Sequence, residues 1–147
     1  MQNINFLKEN APSFIFKNKI IIKKWMEKVM ANYGFHHFEI AFVFSNDEYI
    51  LNINQKYLQH DFYTDIITFD YSSKTTIESE IYISIDRVKE NAKTLNNTFS
   101  NEFNRVLIHG ILHLCGLKDK TKTEEKAMRN AENEALILLE KMLQKKQ

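Results

Sequence analysis

The two residues that most readily break regular structure are scarce in this chain, with three glycines and one proline in 147 residues. That is about 3% of the chain, where average usage would give roughly 12%. Folds with many tight turns need glycine and proline for left-handed and rigid backbone, so a sandwich or barrel of short strands is disfavoured. Long elements joined by few turns are favoured instead, and the hydrophobic pattern supplies them. Ile21, Ile22, Trp25, Met26, Val29, Met30 and Tyr33 recur at helical spacing and stop at Gly34, which predicts a first helix. Residues 39–44 (EIAFVF) read as a buried strand, and Ser45 followed by Glu48 has the capping-box spacing that opens a second helix to about Tyr57. Residues 65–71 (DIITFDY) and 80–85 (EIYISI) are β-branched and aromatic, and the Ser/Thr/Lys connection between them is long enough for a hairpin. Asp86 can cap a helix to about Leu95, Ser100 another over residues 101–115, and Thr123 a third through Ala127, Ala131, Ala135, Leu138 and Met142. Weaker strand patterns occupy residues 4–6 and 13–16. The order predicts an α/β or α+β fold, a mixed sheet of about four strands covered by helices.

Charge and cysteine content narrow the functional classes. The balance of 20 basic against 19 acidic residues leaves a net charge of +1, so no global cation field exists to hold nucleic acid or an anionic membrane. Eleven Phe, 6 Tyr and 1 Trp within a 44% hydrophobic composition are enough for a substantial core without metals or disulfides to support it. Cys115 is the one cysteine, which excludes an intramolecular disulfide and a thiolate-only zinc site and agrees with a reducing compartment. No apolar run exceeds five residues, against the ~20 that cross a bilayer. With no repeat or flexible linker to divide it, the expectation is a single domain over residues 1–147, cytoplasmic, with no membrane or disulfide partner.

One segment carries the chemistry: HGILHLCGLKD, residues 109–119. His109 and His113 are four apart on a strongly patterned helix, hence about 40° apart in azimuth and one turn apart in height, so both imidazoles can reach one ion. A third ligand close in sequence requires the helix to stop. Gly116 supplies that stop, since glycine takes the left-handed conformation at a helix C-terminus, and Asp119 could then fold back as the third ligand. Two histidines and a carboxylate with an open fourth position are a familiar catalytic zinc set, although iron(II), nickel and cobalt accept the same donors. The carboxylate would make the centre a weaker Lewis acid than three imidazoles would. The plainer alternative is one buried and one exposed histidine with no ion between them. Position 110 is Gly where the zinc peptidase pattern H-E-x-x-H has its general base, so peptidase chemistry of that type lacks its base.

These residues resemble the YbeY-type endoribonucleases that act in ribosomal RNA maturation. The family's H-G-x-L-H-L-x-G-x-D-H is similar to His109, Gly110, Leu112, His113, Leu114 and Gly116, with Asp119 where the family has its third histidine. A second family pattern, N-x-x-Y-R-x-x-D-x-P-T-D-V-L-S-F, is similar to residues 54–69, with Asn54, Tyr57, Asp61, Thr64, Asp65 and Phe69 matching. Residues 80–84 resemble the family's G-D-I-x-I-S segment, and the likeness covers residues 39–135. The resemblance implies metal-dependent cleavage of single-stranded RNA, with ribosomal RNA and the small ribosomal subunit as partners and a role in ribosome quality control. One zinc ion on His109, His113 and Asp119 would be the cofactor.

Two further departures bear on catalysis. The family's arginine is Leu58 here and its proline is Tyr63, so charge for a pentavalent phosphate must come from elsewhere, with His60, Lys118 and Lys120 as candidates. His60 and Asp65 are candidates to move a proton, and each could equally be structural. Lys118, Lys120, Lys122 and Lys126 cluster after the ligands and Lys118, Lys120 and Lys122 are taken as RNA contacts, whereas the lysines of the first helix read as a solvated face. Cys115 falls about 200° around the helix from His113 and is expected to face the core. A second reading, motivated by Leu58, is a non-catalytic metal-containing assembly factor that binds the small subunit.

Overall fold

Alternating side chains on the central strands decide the layering. The computed structural model describes residues 1–60 and 64–145. Among them, strands β1 (Gln2–Glu9), β2 (His37–Ser45), β3 (Ile66–Asp70) and β4 (Thr76–Ser84) form one sheet in the order β1-β2-β4-β3. The strands β1, β2 and β4 run parallel, while β3 pairs antiparallel with β4, completing the expected mixed sheet and hairpin. On β2, Phe38, Ile40, Phe42 and Phe44 are fully buried and point to one face, as the period of two requires.

That face is covered by α1 (Lys19–Asn32), α3 (Ile85–Thr94), α4 (Phe99–Leu114) and α5 (Lys122–Lys145), which share one apolar core with it. Among the described residues the second face carries only α2 (Asp47–Leu58), whose Ile50 and Ile53 pack on Ile67 with Tyr49, Phe69 and Tyr82 alongside. Trp25 of α1 is fully buried and its indole N–H donates to the Ala135 carbonyl of α5 at 2.7 Å, which satisfies the one polar atom of the largest core side chain. No described helix is long and apolar enough to cross a membrane.

The helices lie where periodicity places them, but their caps are displaced from the expected residues, by one residue downstream at α2 and by two residues upstream at α3, α4 and α5. Ser45 ends β2 and its hydroxyl donates to the Ile83 carbonyl at 3.5 Å, so Asn46 caps α2 by accepting from the Tyr49 N–H. Ser84 caps α3, while the Asp86 carboxylate accepts from the Asp47 N–H at 3.0 Å and braces α2. Thr98 caps α4, and Thr121 exchanges side chain–backbone bonds with Glu124 at the start of α5. Residues 13–16 form no strand; Phe14 and Phe16 pack edge-on against Phe44, and against Phe103 of α4 Phe16 is edge-on and Phe14 tilted.

Candidate active site

The last turns of α4 are held unusually close to the sheet. A Cβ at Gly110 would stand 3.1 Å from Cδ1 of Ile66 and 3.3 Å from Cδ1 of Ile81, so glycine here permits the approach that brings α4 against the β3–β4 hairpin. A glutamate, as in the peptidase pattern, has no room at this position. The helix then ends in a Schellman motif: Gly116 has φ +108°, its N–H donates to the His113 carbonyl at 3.0 Å, and the Leu117 N–H donates to the Leu112 carbonyl at 3.1 Å. The chain reverses as the glycine spacing predicts, and Asp119 returns to the helix.

The reversal brings the Asp119 carboxylate to 3.3 Å from Nε2 of His109. The other ring nitrogen, Nδ1, stands 2.8 Å from Oε2 of Glu132, a carboxylate of α5 that is 4% exposed. Glu132 also accepts from Arg105 at 2.9 Å through Oε1, and Arg105 reaches Asn133 at 2.9 Å with its second amino group. Burial alone would raise the Glu132 carboxyl, but the hydrogen bonds from His109 and Arg105 outweigh it and hold it below the ordinary carboxylate range. The same bond to Glu132 raises His109, against the opposing effect of burial.

His109, His113, Asp119 and Asp65 all line one cavity of about 870 Å³, with Thr64 and Thr68 on one wall and Arg105, Lys122, Lys126 and Arg129 on the other. His113 is exposed, one turn beyond His109. Asp65 is half-buried and accepts from the Asn91 amide at 3.4 Å; burial raises its carboxyl, partly offset by nearby His109. His60 is exposed just past α2, its N–H donating to the Asn54 carbonyl, and does not line the described cavity. Lys118 and Lys120 are exposed and lie off the described cavity wall, while Lys122 is on it. Asp61 and Tyr63, two positions of the second motif, lie outside the described residues. Cys115 is half-buried against the core as expected, and burial pushes its thiol up to about 12.

The donor chemistry suits a cation at His109 and Asp119. Two ligands each about 2.0–2.1 Å from a tetrahedral zinc stand about 3.3 Å apart, which is the separation observed between Nε2 and Oδ2. With its N–H directed to Glu132, Nδ1 leaves the Nε2 lone pair facing the cavity, and a carboxylate in that outer position is the usual companion of a metal-ligating histidine. Among the described residues, however, no three His, Cys, Asp or Glu side chains are gathered closely enough to enclose an ion, because His113 lines the cavity without closing on the other two.

Glu132, Arg105 and Arg129 were not anticipated from the sequence. The signal was available for Glu132: Met128, Glu132, Ala135 and Leu139 are the buried positions of α5, at i, i+4, i+7 and i+11, so a carboxylate occupies a core position of an amphipathic helix. Glu102 of α4 is similar. It is 5% exposed, lines the cavity and leaves Oε1 without a hydrogen-bond partner; burial and neighbouring Asp65 raise its carboxyl.

Comparison with known proteins bears on this site. The family model described as Endoribonuclease YbeY matches residues 4–140. An Endoribonuclease YbeY of Porphyromonas gingivalis is 46% identical over 143 residues, covering 97% of this chain and 94% of that protein. One from Christiangramia forsetii is 46% identical over 135 residues, covering 92% and 93% respectively. The solution structure of TM1509 from Thermotoga maritima superposes with a TM-score of 0.60 at 26% identity, covering 90% of this chain and 89% of that one.

Proposed function

The chain belongs to the endoribonuclease YbeY family, and on that premise we propose that it is a zinc-dependent endoribonuclease cleaving single-stranded ribosomal RNA during small-subunit maturation and quality control. The observation that carries this reading is the His109 imidazole poised between Glu132 and Asp119 in a polar cavity large enough for a nucleotide. His109, Asp119 and, from the next turn, His113 are the residues that would hold the ion. A divalent cation there supplies Lewis acidity toward a phosphoryl oxygen or a water molecule. Glu132 fixes the His109 tautomer and keeps Nε2 directed to the cavity. Asp65, raised by burial and lining the same cavity, is the residue best situated to take or return a proton near the scissile bond. His60 serves that role less well, since it is exposed beyond the described cavity wall.

Purified protein loaded with zinc is expected to cut single-stranded ribosomal RNA, and His113→Ala, checked for folding by circular dichroism, to lose at least a hundredfold in rate. Equal cutting by both proteins would exclude this site as the source of activity. Small-subunit binding that survives in a folded, inactive His109→Ala protein, with no cutting by the wild type, would instead favour the assembly-factor reading.

A further inference from the structure

We propose that the first two turns of α5 are the phosphate-binding wall of this cavity, with Lys122, Lys126 and Arg129 holding successive phosphates of a single RNA strand whose sugars and bases face Thr64 and Thr68. This rests on RNA being the substrate and goes beyond it by fixing how the strand lies. The three cations fall at i, i+4 and i+7, on one face of a helix, over about 10 Å of its axis. All three line the cavity that holds His109 and Asp119. Across from it the cavity is lined by Thr64, Asp65, Ile66 and Thr68, which offer hydroxyl and methyl groups and a single carboxylate but no cation.

The two arginines of the cavity differ in what is left for a ligand. Arg105 has a side chain 21% exposed and spends both terminal nitrogens on Glu132 and Asn133. It is a positioning residue. Arg129 is 58% exposed, and its contact with Glu132 is 3.6 Å, longer than the 2.7–2.9 Å of an ionic hydrogen bond. Its guanidinium is therefore steered over the cavity by Glu132 without being consumed, and its planar fork remains available for a phosphate. Lys122 and Lys126 form no ion pair among the described residues. Carboxylates on the cavity wall outnumber its lysines and arginines by one, so attraction for a polyanion is confined to this stripe and is not spread around the rim. Leu58, at the end of α2, supplies no charge and does not line the described cavity.

The test combines equilibrium binding and kinetics. Binding of a fluorescent single-stranded oligoribonucleotide is followed by anisotropy over a range of salt concentrations, in a His113→Ala background or, should that variant not fold, in wild type stripped with EDTA. Arg129→Gln and Lys126→Gln are each expected to lower the slope of log K against log salt by about 0.7, as loss of one phosphate contact on a single strand requires. Arg129→Lys should retain the slope, and Thr68→Ala should weaken binding without changing it. In the cutting assay, Arg129→Gln is expected to raise KM about tenfold with kcat nearly unchanged. Unchanged slopes and KM in the Arg129 and Lys126 variants, with active wild type, would overturn the proposal, as would a fall in kcat alone. Wild type that binds through this stripe but cuts nothing would instead sink the endonuclease reading and leave the stripe standing.

Discussion

Replacing Glu132 by Gln preserves the shape of the side chain and removes the charge on which His109, Arg105 and Arg129 converge. The wild-type carboxylate accepts from Nδ1 of His109 at 2.8 Å and from Arg105 at 2.9 Å while 4% exposed. An amide can offer its one oxygen to Arg105 or to His109, but not one to each. If the oxygen stays with Arg105, the amide N–H faces Nδ1, the imidazole must take its proton on Nε2, and the lone pair toward Asp119 is lost. One charge-assisted hydrogen bond is worth about 1.5–3 kcal/mol. Relief from burying a carboxylate offsets part of the loss. The net expectation is about 1–2 kcal/mol, read as a lower urea midpoint with an unchanged m-value. For a chain of this length each kcal/mol moves Tm by about 2–4 °C, so a fall of roughly 2–8 °C should accompany it. The protein remains folded, since about 0.05–0.15 kcal/mol per residue leaves a margin larger than that loss. Zinc affinity, measured by competition with a chelating dye, should fall by about 10–100-fold. Nitrogen chemical shifts of His109 in the metal-free protein should report the exchange of tautomer. Wild-type zinc affinity with the proton still on Nδ1 would refute the reasoning, whatever happens to stability.

Gly110→Ala sets about 1 kcal/mol of helix propensity against an overpacking cost of about 1–3 kcal/mol, and fully buried Ile81 leaves little room to yield, so a net loss of about 1 kcal/mol in thermal unfolding is expected; a gain would mean that α4 can back away freely. Glu102→Gln tests the pH dependence: the folded carboxyl is raised by burial, so its destabilising cost is present above the folded pKa and disappears as pH falls through it. Wild type should therefore gain on Glu102→Gln as pH is lowered from neutrality toward the ordinary glutamate range, and parallel stability curves would refute the assignment. With its thiol at about 12, Cys115 should react with iodoacetamide at pH 8 about a thousandfold more slowly in the folded protein than in urea, as followed by mass spectrometry.

Local chemistry written into short stretches of the chain was legible without coordinates. The alternating strands, the helical periodicities, the antiparallel hairpin, the turn at Gly116 and the pairing of His109 with a returning Asp119 all follow from side-chain spacing and from glycine's access to the left-handed region. These depend on neighbours within about ten positions, or seventeen at the open end of the hairpin, where Ile66 pairs with Ile83. Cap positions differ because a cap depends on where a hydroxyl at the end of the preceding strand is spent: Ser45 donates to the Ile83 carbonyl within the sheet, whereas Ser84, the last residue of β4, accepts from the Arg87 N–H and so caps α3. The parallel pairing of β1 with β2, the Gly110 contact with Ile66 and Ile81, and the convergence of Glu132, Arg105 and Arg129 on His109 were decided only when distant segments packed together. Glu132 is 23 residues from His109 and on another helix, and no periodicity within either helix says that the two will meet. A carboxylate at a buried position of α5 signals that some cation must be its partner; the sheet that presses α4 against α5 decides which one.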